Sequence, residues 1–267
     1  AEYQIAERTP LSVQYHGTEV LTNPAPSLGG SLIGLSLKLL DAQDVGSLTF
    51  GSKEHVAALG KTLREVELLR EKGITHPDQL DDAERKAAVG RISSGGTTHC
   101  TISDADGNVA SMTTSNGEGS GQFIPGTGIM INNMLGEDDL HPGGFHGERP
   151  GERVSSMMAP TLLQRDGKVV MGRGSGGSKR IRTAIVQVLS HVLDHQKPLQ
   201  EAIDAARVHF EDGRFQLEPG HDDDVKTALE QVAPTNVWPD RDLYFGGVHA
   251  VAHYREAGAD ARRGGSA

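Results

Sequence analysis

The sequence predicts an α+β fold in which strand hairpins and amphipathic helices pack as layers. Two pairs of strand-like segments are joined by Asp106-Gly107-Asn108 and by Asp166-Gly167, which are strong hairpin signals. Other segments carry apolar residues at helical spacing, most clearly from about Lys179 to Asp194. The chain also holds 34 glycines, a content that predicts numerous turns and close backbone approaches. Hairpins flanked by helices suggest stacked sheets with helix layers.

The amino-terminal part is predicted to form a short hairpin and two helices. Extended pieces at Ser12–Tyr15 and Glu19–Leu21 flank a turn at His16-Gly17. A helix follows, because four leucines recur on one helical face: Leu28, Leu32, Leu35 and Leu39. A second helix, from about Lys53 to Lys72, repeats this pattern.

The middle of the chain changes from a polar connector to strands. Residues 76–94 are polar and charged, which indicates a surface helix or a flexible connector where a processing site would be accessible. Strands at Thr97–Asp104 and Val109–Ser115 then form the first hairpin. A glycine-rich loop at 117–128 and a short apolar strand at Ile129–Ile131 are expected to follow.

The last part is predicted to alternate between strands and helices again. Residues 136–153 contain several prolines and glycines and predict a long irregular loop. The second hairpin pairs Thr161–Gln164 with Val169–Arg173, and the helix from about Lys179 follows it. A shorter helix is expected at Leu199–Arg207, then a helix and a strand around Phe245–His253.

Composition excludes several classes of function. The formal net charge of −10 opposes binding to nucleic acid or to anionic membranes, since both require a basic face. A single cysteine, Cys100, cannot form an internal disulfide, and its place in a strand predicts a small packed side chain. No apolar stretch approaches the roughly 20 residues that span a membrane. The first residues lack the features of a signal peptide, so localisation stays open.

The segment Gly95-Gly96-Thr97-Thr98-His99 is the strongest candidate for chemistry. If the Gly96–Thr97 bond is cut, Thr97 gains a free α-amine with a pKa of about 8 beside its own hydroxyl. Nucleophile and base then belong to one residue. The alternative interpretation is an ordinary Gly-Gly turn before a β-branched strand.

From Thr97 onward the sequence resembles the catalytic small subunit of the γ-glutamyltransferases, which are N-terminal-nucleophile hydrolases. The resemblance rests on motifs in one order along the chain: Thr97-Thr98-His99, Asp104–Asn108, Thr114-Ser115-Asn116, Gly128–Asn133, Val154–Thr161, Gly174–Ser178 and Arg262–Gly265. Upstream, Glu7–Leu11 and Pro24–Gly30 are similar to the end of the family's large subunit. The resemblance implies a four-layer αββα sandwich, incomplete on its N-terminal side. It also implies two segments, 1–96 ending in a processing linker and the catalytic 97–267.

The resemblance assigns roles to individual residues. Thr97 is implied as the nucleophile freed by self-cleavage after Gly96, and Thr114 as a hydroxyl bonded to it. The backbone N–H groups of Gly176 and Gly177 are implied as donors to the oxyanion. The substrate-binding residues implied by resemblance are Asn116, Ser155 and Ser156, with Glu137 and the adjacent Asp138 as the acidic group for an α-ammonium.

One position departs from the family pattern. Met134 stands where the family usually has an acidic or amide residue, and a thioether is a weak hydrogen-bond acceptor.

The leading hypothesis, which follows from the resemblance, is a γ-glutamyl amide hydrolase or transferase acting on glutathione-type donors, with water, an amino acid or a peptide as acceptor. An acylase of the same fold for a glutaryl-like or other acyl group remains open, as does a non-catalytic fragment.

Two other motifs suggest alternatives that the sequence disfavours. Gly172–Gly177 fits G-x-G-x-x-G, but the parallel strand and acidic residue of a dinucleotide site do not follow it. The pairs His191/His195 and His249/His253 are too few to define a zinc site and are expected on helix surfaces or a strand. We expect no cofactor and no metal. The family's large subunit contributes an arginine to the substrate carboxylate from a region before this chain begins, so the isolated chain is expected to be weakly active and prone to associate.

Overall fold

The computed structural model describes residues 4–76, 96–137, 140–141, 144–145, 149–252 and 256–267. The strands are β1 (Leu11–Tyr15), β2 (Thr18–Thr22), β3 (Thr97–Ser103), β4 (Val109–Ser115), β5 (Thr161–Arg165), β6 (Lys168–Gly176), β7 (Val208–Glu211), β8 (Arg214–Leu217), β9 (Thr235–Val237), β10 (Gly247–Ala252) and β11 (Glu256–Gly258). The helices are α1 (Leu28–Asp41), α2 (Lys53–Glu71), α3 (Arg180–Leu193), α4 (Leu199–Asp204) and α5 (Asp223–Glu230).

A six-stranded sheet in the order β1-β2-β5-β6-β10-β11 forms the centre of the molecule. Every neighbouring pair in it is antiparallel. A two-residue turn joins β5 to β6, where Asp166 and Gly167 both have positive φ (51° and 73°). That conformation matches the twist of the strands and is the one predicted for this dipeptide.

Helices α1 and α3 cover one face of this sheet, and α2 packs outside α1. Ser52 caps α2 by accepting a hydrogen bond from the backbone N–H of His55 at 3.3 Å. The helix ends where Gly73 takes a positive φ of 81° and Ile74 N–H bonds to Leu69 O at 2.9 Å. A smaller sheet, β7-β8-β9, lies beside α2, and buried apolar side chains of both sheets and the helices form one core.

The β3–β4 hairpin lies on the other face of the central sheet, directly over β6. Alternate residues of β6 on this face are glycines, and a Cβ atom at any of them would collide with the hairpin. It would lie 2.7 Å from Thr101 at Gly172 and 2.6 Å from the carbonyl oxygen of Thr97 at Gly176, and would overlap the His99 ring at Gly174. The side chains of His99, Thr101 and Val109 and the Thr97 carbonyl therefore pack directly on the bare backbone of β6.

The α+β prediction is confirmed. The described residues form three of the layers that the resemblance implies: the helices, the six-stranded sheet and the β3–β4 hairpin. The outward face of the hairpin is open to solvent, where Ile102 and Met112 are 63% and 59% exposed. Within the described ranges, none of the helices has the length and apolar character needed to cross a bilayer.

Several local predictions are wrong. Ile129–Ile131 is not a strand, since only an isolated bridge between Phe123 and Met130 forms there. The helix expected to reach Arg207 ends at Asp204, because the chain turns into the β7–β8 hairpin. Cys100 is exposed rather than packed, because it lies on the outward face of β3. Most of the predicted connector, from residue 77 to 95, lies outside the described residues.

Candidate active site

Thr97 is the first residue of β3 and lies at the end of the hairpin nearest to the Gly176–Gly177 turn. Gly96 before it is held at both backbone groups: its N–H donates to Gly117 O at 2.5 Å, and its carbonyl accepts from Asn116 N–H at 3.4 Å. The side chain of Thr97 is half-buried. The bond expected to be cut is therefore fixed against the residues that follow β4.

The hydroxyl that contacts Thr97 belongs to Ser115. Thr97 and Ser115 are register partners in the hairpin, and their Oγ atoms lie 3.0 Å apart. Ser115 Oγ also accepts the N–H of Gly117 at 3.0 Å, which fixes its orientation. The prediction that Thr114 bonds to Thr97 is wrong: Thr114 pairs with Thr98 and points outward, because neighbouring strand residues face opposite sides.

The loop after β4 brings an amide and a carboxylate next to this hydroxyl pair. Asn133 Oδ1 accepts from the N–H groups of Glu118 (2.7 Å) and Gly119 (3.0 Å). The buried carboxylate of Glu137 lies against Gly117, where a Cβ atom would be 2.5 Å from its Oε1. Asn116 is exposed beside them. The structure thus places two of the three substrate-binding candidates of this region near Thr97, whereas Asp138 lies outside the described residues.

Gly176 and Gly177 form the turn between β6 and α3. Gly176 lies against the carbonyl of Thr97, as described above, and Gly177 has a φ of 127° that side chains rarely adopt. The backbone of Ser178 follows with a positive φ of 52°, and α3 begins at Arg180. The turn thus lies at the amino terminus of a 14-residue helix, where the aligned peptide dipoles favour negative charge.

Ser155 and Ser156 lie on a separate segment that packs against the start of α1. Ser155 donates its hydroxyl proton to Leu140 O at 2.8 Å, and Ser156 Oγ accepts from Met158 N–H at 3.0 Å. Ser156 lines a cavity of about 700 Å³ between this segment and the inner face of β4. Arg8 and Arg153 line the same cavity, so two cations of this chain border the space in front of Ser156.

His99 contacts three hydroxyl groups on the inner face of the hairpin, and two of them, those of Ser111 and Thr113, line this cavity. Its Nδ1 is 2.8 Å from Thr113 Oγ1, and its Nε2 is 2.8 Å from Thr101 Oγ1 and 3.3 Å from Ser111 Oγ. Burial, with a smaller effect of the nearby His249, lowers the pKa of His99 to about 4. The imidazole is therefore neutral at physiological pH and acts as a fixed spacer beneath the nucleophile strand.

The histidine pairs do not form a metal site in the described residues, where no group of three or more metal-ligating side chains is placed to hold an ion. The prediction that His191 lies on a helix surface is wrong. It is 3% exposed and packs with His55 and His195 around the ring of Phe50. Of the other pair, His249 is half-buried on β10, and His253 lies outside the described residues.

The G-x-G-x-x-G segment is not a dinucleotide fingerprint. Both neighbours of β6 run antiparallel to it, whereas the dinucleotide motif requires a parallel β-α-β unit. Its glycines serve the close contact with the hairpin and the turn into α3. Sequence reasoning missed Ser115, although the register of the hairpin would have placed it opposite Thr97.

A threonine at a strand start, a hydroxyl partner and a glycine turn at a helix terminus define the N-terminal-nucleophile class of hydrolase. The profile of the gamma-glutamyltranspeptidase family matches residues 67–267. The chain belongs to the gamma-glutamyltranspeptidase family.

Acylases and glutathione hydrolases are among the similar proteins. The chain is 35% identical over 254 residues to the acylase ACY 1 proenzyme of Pseudomonas sp. (strain SE83), covering 86% of this chain and 46% of that protein. It is 32% identical over 248 residues to the glutathione hydrolase proenzyme of Pseudomonas aeruginosa, covering 79% and 44%. The chain thus spans about half the length of these relatives.

Two solved structures are similar in fold. A gamma-glutamyltranspeptidase from Pseudomonas nitroreducens complexed with L-DON has a TM-score of 0.54 and 28% identity, covering 62% of this chain and 95% of that one. A cephalosporin acylase from Bacillus halodurans has a TM-score of 0.74 over 96% of this chain and 52% of that one, at 21% identity, which shows a common fold alone.

Proposed function

We propose that the chain is the catalytic part of a γ-glutamyl amide hydrolase or transferase whose nucleophile is Thr97. The single observation that carries this proposal is the contact of Thr97 with Ser115 at 3.0 Å at the strand end that packs on Gly176. Membership of the gamma-glutamyltranspeptidase family supports the same reaction class.

The first step is self-cleavage, which divides the chain into 1–96 and 97–267. Thr97 Oγ attacks the Gly96 carbonyl carbon and loses its proton, and the peptide C–N bond then breaks. The nitrogen keeps the electron pair of that bond, takes up the proton and becomes the α-amine of Thr97. Water then hydrolyses the ester that joins Gly96 to Thr97 Oγ. The Asn116 N–H that bonds to the Gly96 carbonyl favours the attack by polarising the C=O bond.

In turnover the freed α-amine takes the proton of Thr97 Oγ as the hydroxyl attacks the donor amide. The tetrahedral oxyanion is stabilised at the Gly176–Gly177 turn, the amine of the donor leaves with a proton, and an acyl ester remains. Water, an amino acid or a peptide then attacks the ester. The reaction uses no cofactor, since backbone donors and the threonine amine supply the charge stabilisation and the base.

The substrate's acyl group is proposed to occupy the space in front of Ser156. Its carboxylate would meet the hydroxyl of Ser156 and the cations Arg8 and Arg153 that line that cavity. An α-ammonium on the acyl group would meet Glu137, with Asp138 next to it in the chain. Asn116 is proposed as a further polar contact.

A second candidate is an acylase for a glutaryl-like group. It is favoured by Met134, which offers no charged acceptor to an α-ammonium, and by the similarity to an acylase proenzyme. A donor that lacks the ammonium group loses nothing at this position. We therefore propose comparing γ-glutamyl-anilide with glutaryl-anilide turnover, because the preferred donor decides between the two. Turnover of neither by the processed protein would support a non-catalytic fragment.

The partner proposed for this chain is the preceding large-subunit region of the family. Its place would be the outward face of β3–β4, where Ile102 and Met112 are exposed. A chain that lacks this cover is expected to associate with itself through the same face.

Self-cleavage is tested by intact mass spectrometry during incubation of the folded protein. We expect two fragments that divide between Gly96 and Thr97 and remain associated. Thr97→Ala should abolish cleavage and turnover together, and Thr97→Ser should retain part of both. Ser115→Ala should slow cleavage, whereas Thr114→Ala, the matched control on the opposite face, should leave it unchanged. Cleavage at the normal rate in Thr97→Ala would show that Thr97 is not the nucleophile.

A further inference from the structure

The guanidinium of Arg263 lies over the Gly176–Gly177 turn, although no role follows for it from the sequence. A Cβ atom placed on Gly176 would lie 3.5 Å from Arg263 Nη1, and one placed on Gly177 would lie 3.4 Å from Nη2. The same position on Gly176 is 2.6 Å from the carbonyl oxygen of Thr97. The cation, the turn and the nucleophile residue are therefore close neighbours.

The fold makes room for this cation and holds it in place. Its stem crosses Gly247, where a Cβ atom would be 2.6 Å from Arg263 Cδ, so a larger residue on β10 would displace the side chain. Arg263 Nη2 donates to Leu243 O at 3.2 Å. The residue closes a short helical turn, Ala261–Arg263, whose first N–H groups are capped by the buried Asp260.

The negative charges near Arg263 are bound to other groups. Asp260 accepts from Arg207 at 2.6 Å and from Arg262 at 3.2 Å, and Asp242 accepts the N–H of Tyr244. Arg180 faces the guanidinium as a like charge. Arg263 Nε is buried without a hydrogen-bond partner in the described residues. The half-buried guanidinium of Arg263 is therefore stabilised most by an anion that forms at the Gly176–Gly177 turn.

We propose that Arg263 supplies a fixed positive charge to the oxyanion site at Gly176–Gly177 during acyl transfer. The inference rests on the proposed function and extends it, because the backbone donors of the turn are then joined by a side-chain cation. A charge that is already in place when the oxyanion forms lowers the barrier without reorganisation. The same charge disfavours protonation of the nearby threonine amine, which keeps the general base available.

The test compares Arg263→Met and Arg263→Lys in the protein that carries this chain. The matched control is Arg241→Met, since Arg241 is exposed and also donates to a backbone carbonyl, that of Asp204, at 2.9 Å. Self-cleavage is followed by intact mass, turnover by kcat and KM, and folding by thermal unfolding. Arg263→Met should lower kcat by about tenfold to hundredfold, with KM within about twofold. Self-cleavage should keep its rate, because the Gly96 carbonyl bonds to Asn116 N–H rather than to the glycine turn. Arg263→Lys should retain part of the activity, and Arg241→Met should match the wild type.

Two further readouts separate a charge effect from loss of structure. The acidic limb of the kcat/KM profile should move to higher pH in Arg263→Met, because loss of the cation raises the pKa of the threonine amine. Added guanidinium ion at millimolar concentration should restore part of the rate to Arg263→Met but not to the control. If Arg263→Met fails to fold, Arg263→Gln, which also removes the charge, carries the test through the same two readouts.

The outcomes are distinct. Unchanged kcat in the Arg263 variants would overturn the inference while leaving the proposed function intact. A raised KM with unchanged kcat would also overturn it, since Arg263 would then bind the substrate rather than the oxyanion. A wild-type protein that neither cleaves itself nor turns over either anilide would refute the proposed function and the inference with it.

Discussion

Arg173 on β6 and Arg182 on α3 are both buried, yet their removal should change stability in opposite directions. Arg173 is 0% exposed, and none of its three guanidinium nitrogens has a hydrogen-bond partner in the described residues. Arg182 is 1% exposed and forms a short ion pair with the buried Glu67. Among the described residues, Arg173 therefore bears the penalty of desolvation without a neighbouring anion, whereas Arg182 is stabilised by the carboxylate of Glu67.

The size of the Arg173 effect follows from its desolvation. Burial lowers its pKa from 12.5 to about 9, so the guanidinium stays charged at neutral pH. At about 1.4 kcal/mol for each pKa unit, the penalty is roughly 5 kcal/mol as an upper limit. Arg173→Met keeps an unbranched side chain and removes the charge. We expect it to raise the free energy of unfolding by about 1–4 kcal/mol, the range found when buried charges are replaced by apolar residues.

The matched variant is Arg182→Met, which removes one of the two cations paired with the buried Glu67 and leaves Arg70 as its remaining partner. We expect it to lower the free energy of unfolding by about 1–3 kcal/mol, less than the loss found when a buried charge keeps no partner. Urea unfolding at pH 7, followed by circular dichroism, measures both. The gain in Arg173→Met should shrink above pH 9, because the folded wild type then loses its buried charge while the unfolded chain keeps it. Destabilisation of similar size in both variants would refute the reasoning and would mean that Arg173 has an anionic partner.

The remaining predictions concern the stability of the fold at acidic pH and the self-association of the chain. Burial lowers the pKa of His55 and His191 to about 3 and that of His99 to about 4, whereas an unfolded histidine titrates near 6.5. Between these pH values the unfolded chain binds protons that the folded chain does not. The free energy of unfolding is therefore at its full value above pH 6.5 and falls as the pH is lowered. At pH 5 the loss is about 2 kcal/mol for each histidine, and equal urea midpoints at pH 7 and pH 5 would contradict this. Substituting Ile102 and Met112 by lysine should reduce self-association of the chain in size-exclusion chromatography, unless another surface mediates it.

Local sequence patterns predicted the elements whose signals are contained within them. The Asp166-Gly167 turn, the helical repeat of α2 and the apolar face of α3 each depend on residues a few positions apart. The β7–β8 hairpin was missed, although its turn holds the same dipeptide, Asp212-Gly213, with both residues at positive φ. The preceding helix was predicted to continue to Arg207, the residue before β7.

The site was only partly predictable, because its contacts join distant parts of the chain. The order of the family motifs pointed to Thr97 and the glycine turn as candidates, but the partner hydroxyl depends on which face of β4 is inward. The hydroxyl contact with Thr97 that was predicted for Thr114 is therefore made by the next residue, Ser115. The position of Arg263 depends on a gap left by Gly247, and no sequence pattern relates those two residues. The burial of His191 likewise depends on Phe50 and His55, which belong to a different part of the helix layer.

The alternate glycines of β6 have a consequence for how this enzyme scaffold can vary. Because Gly172, Gly174 and Gly176 present bare backbone to the hairpin, the height of Thr97 above the central sheet is set by that backbone and by the few hairpin side chains, such as His99 and Thr101, that lie on it. Substitutions on the outward face of the hairpin can then alter solubility or partner choice without moving Thr97. A single added methyl group on one of the three glycines would instead act as a wedge between the sheets. We therefore expect substitutions to be tolerated on the outward face of the hairpin, whereas none of the three glycines beneath it should accept an added carbon atom.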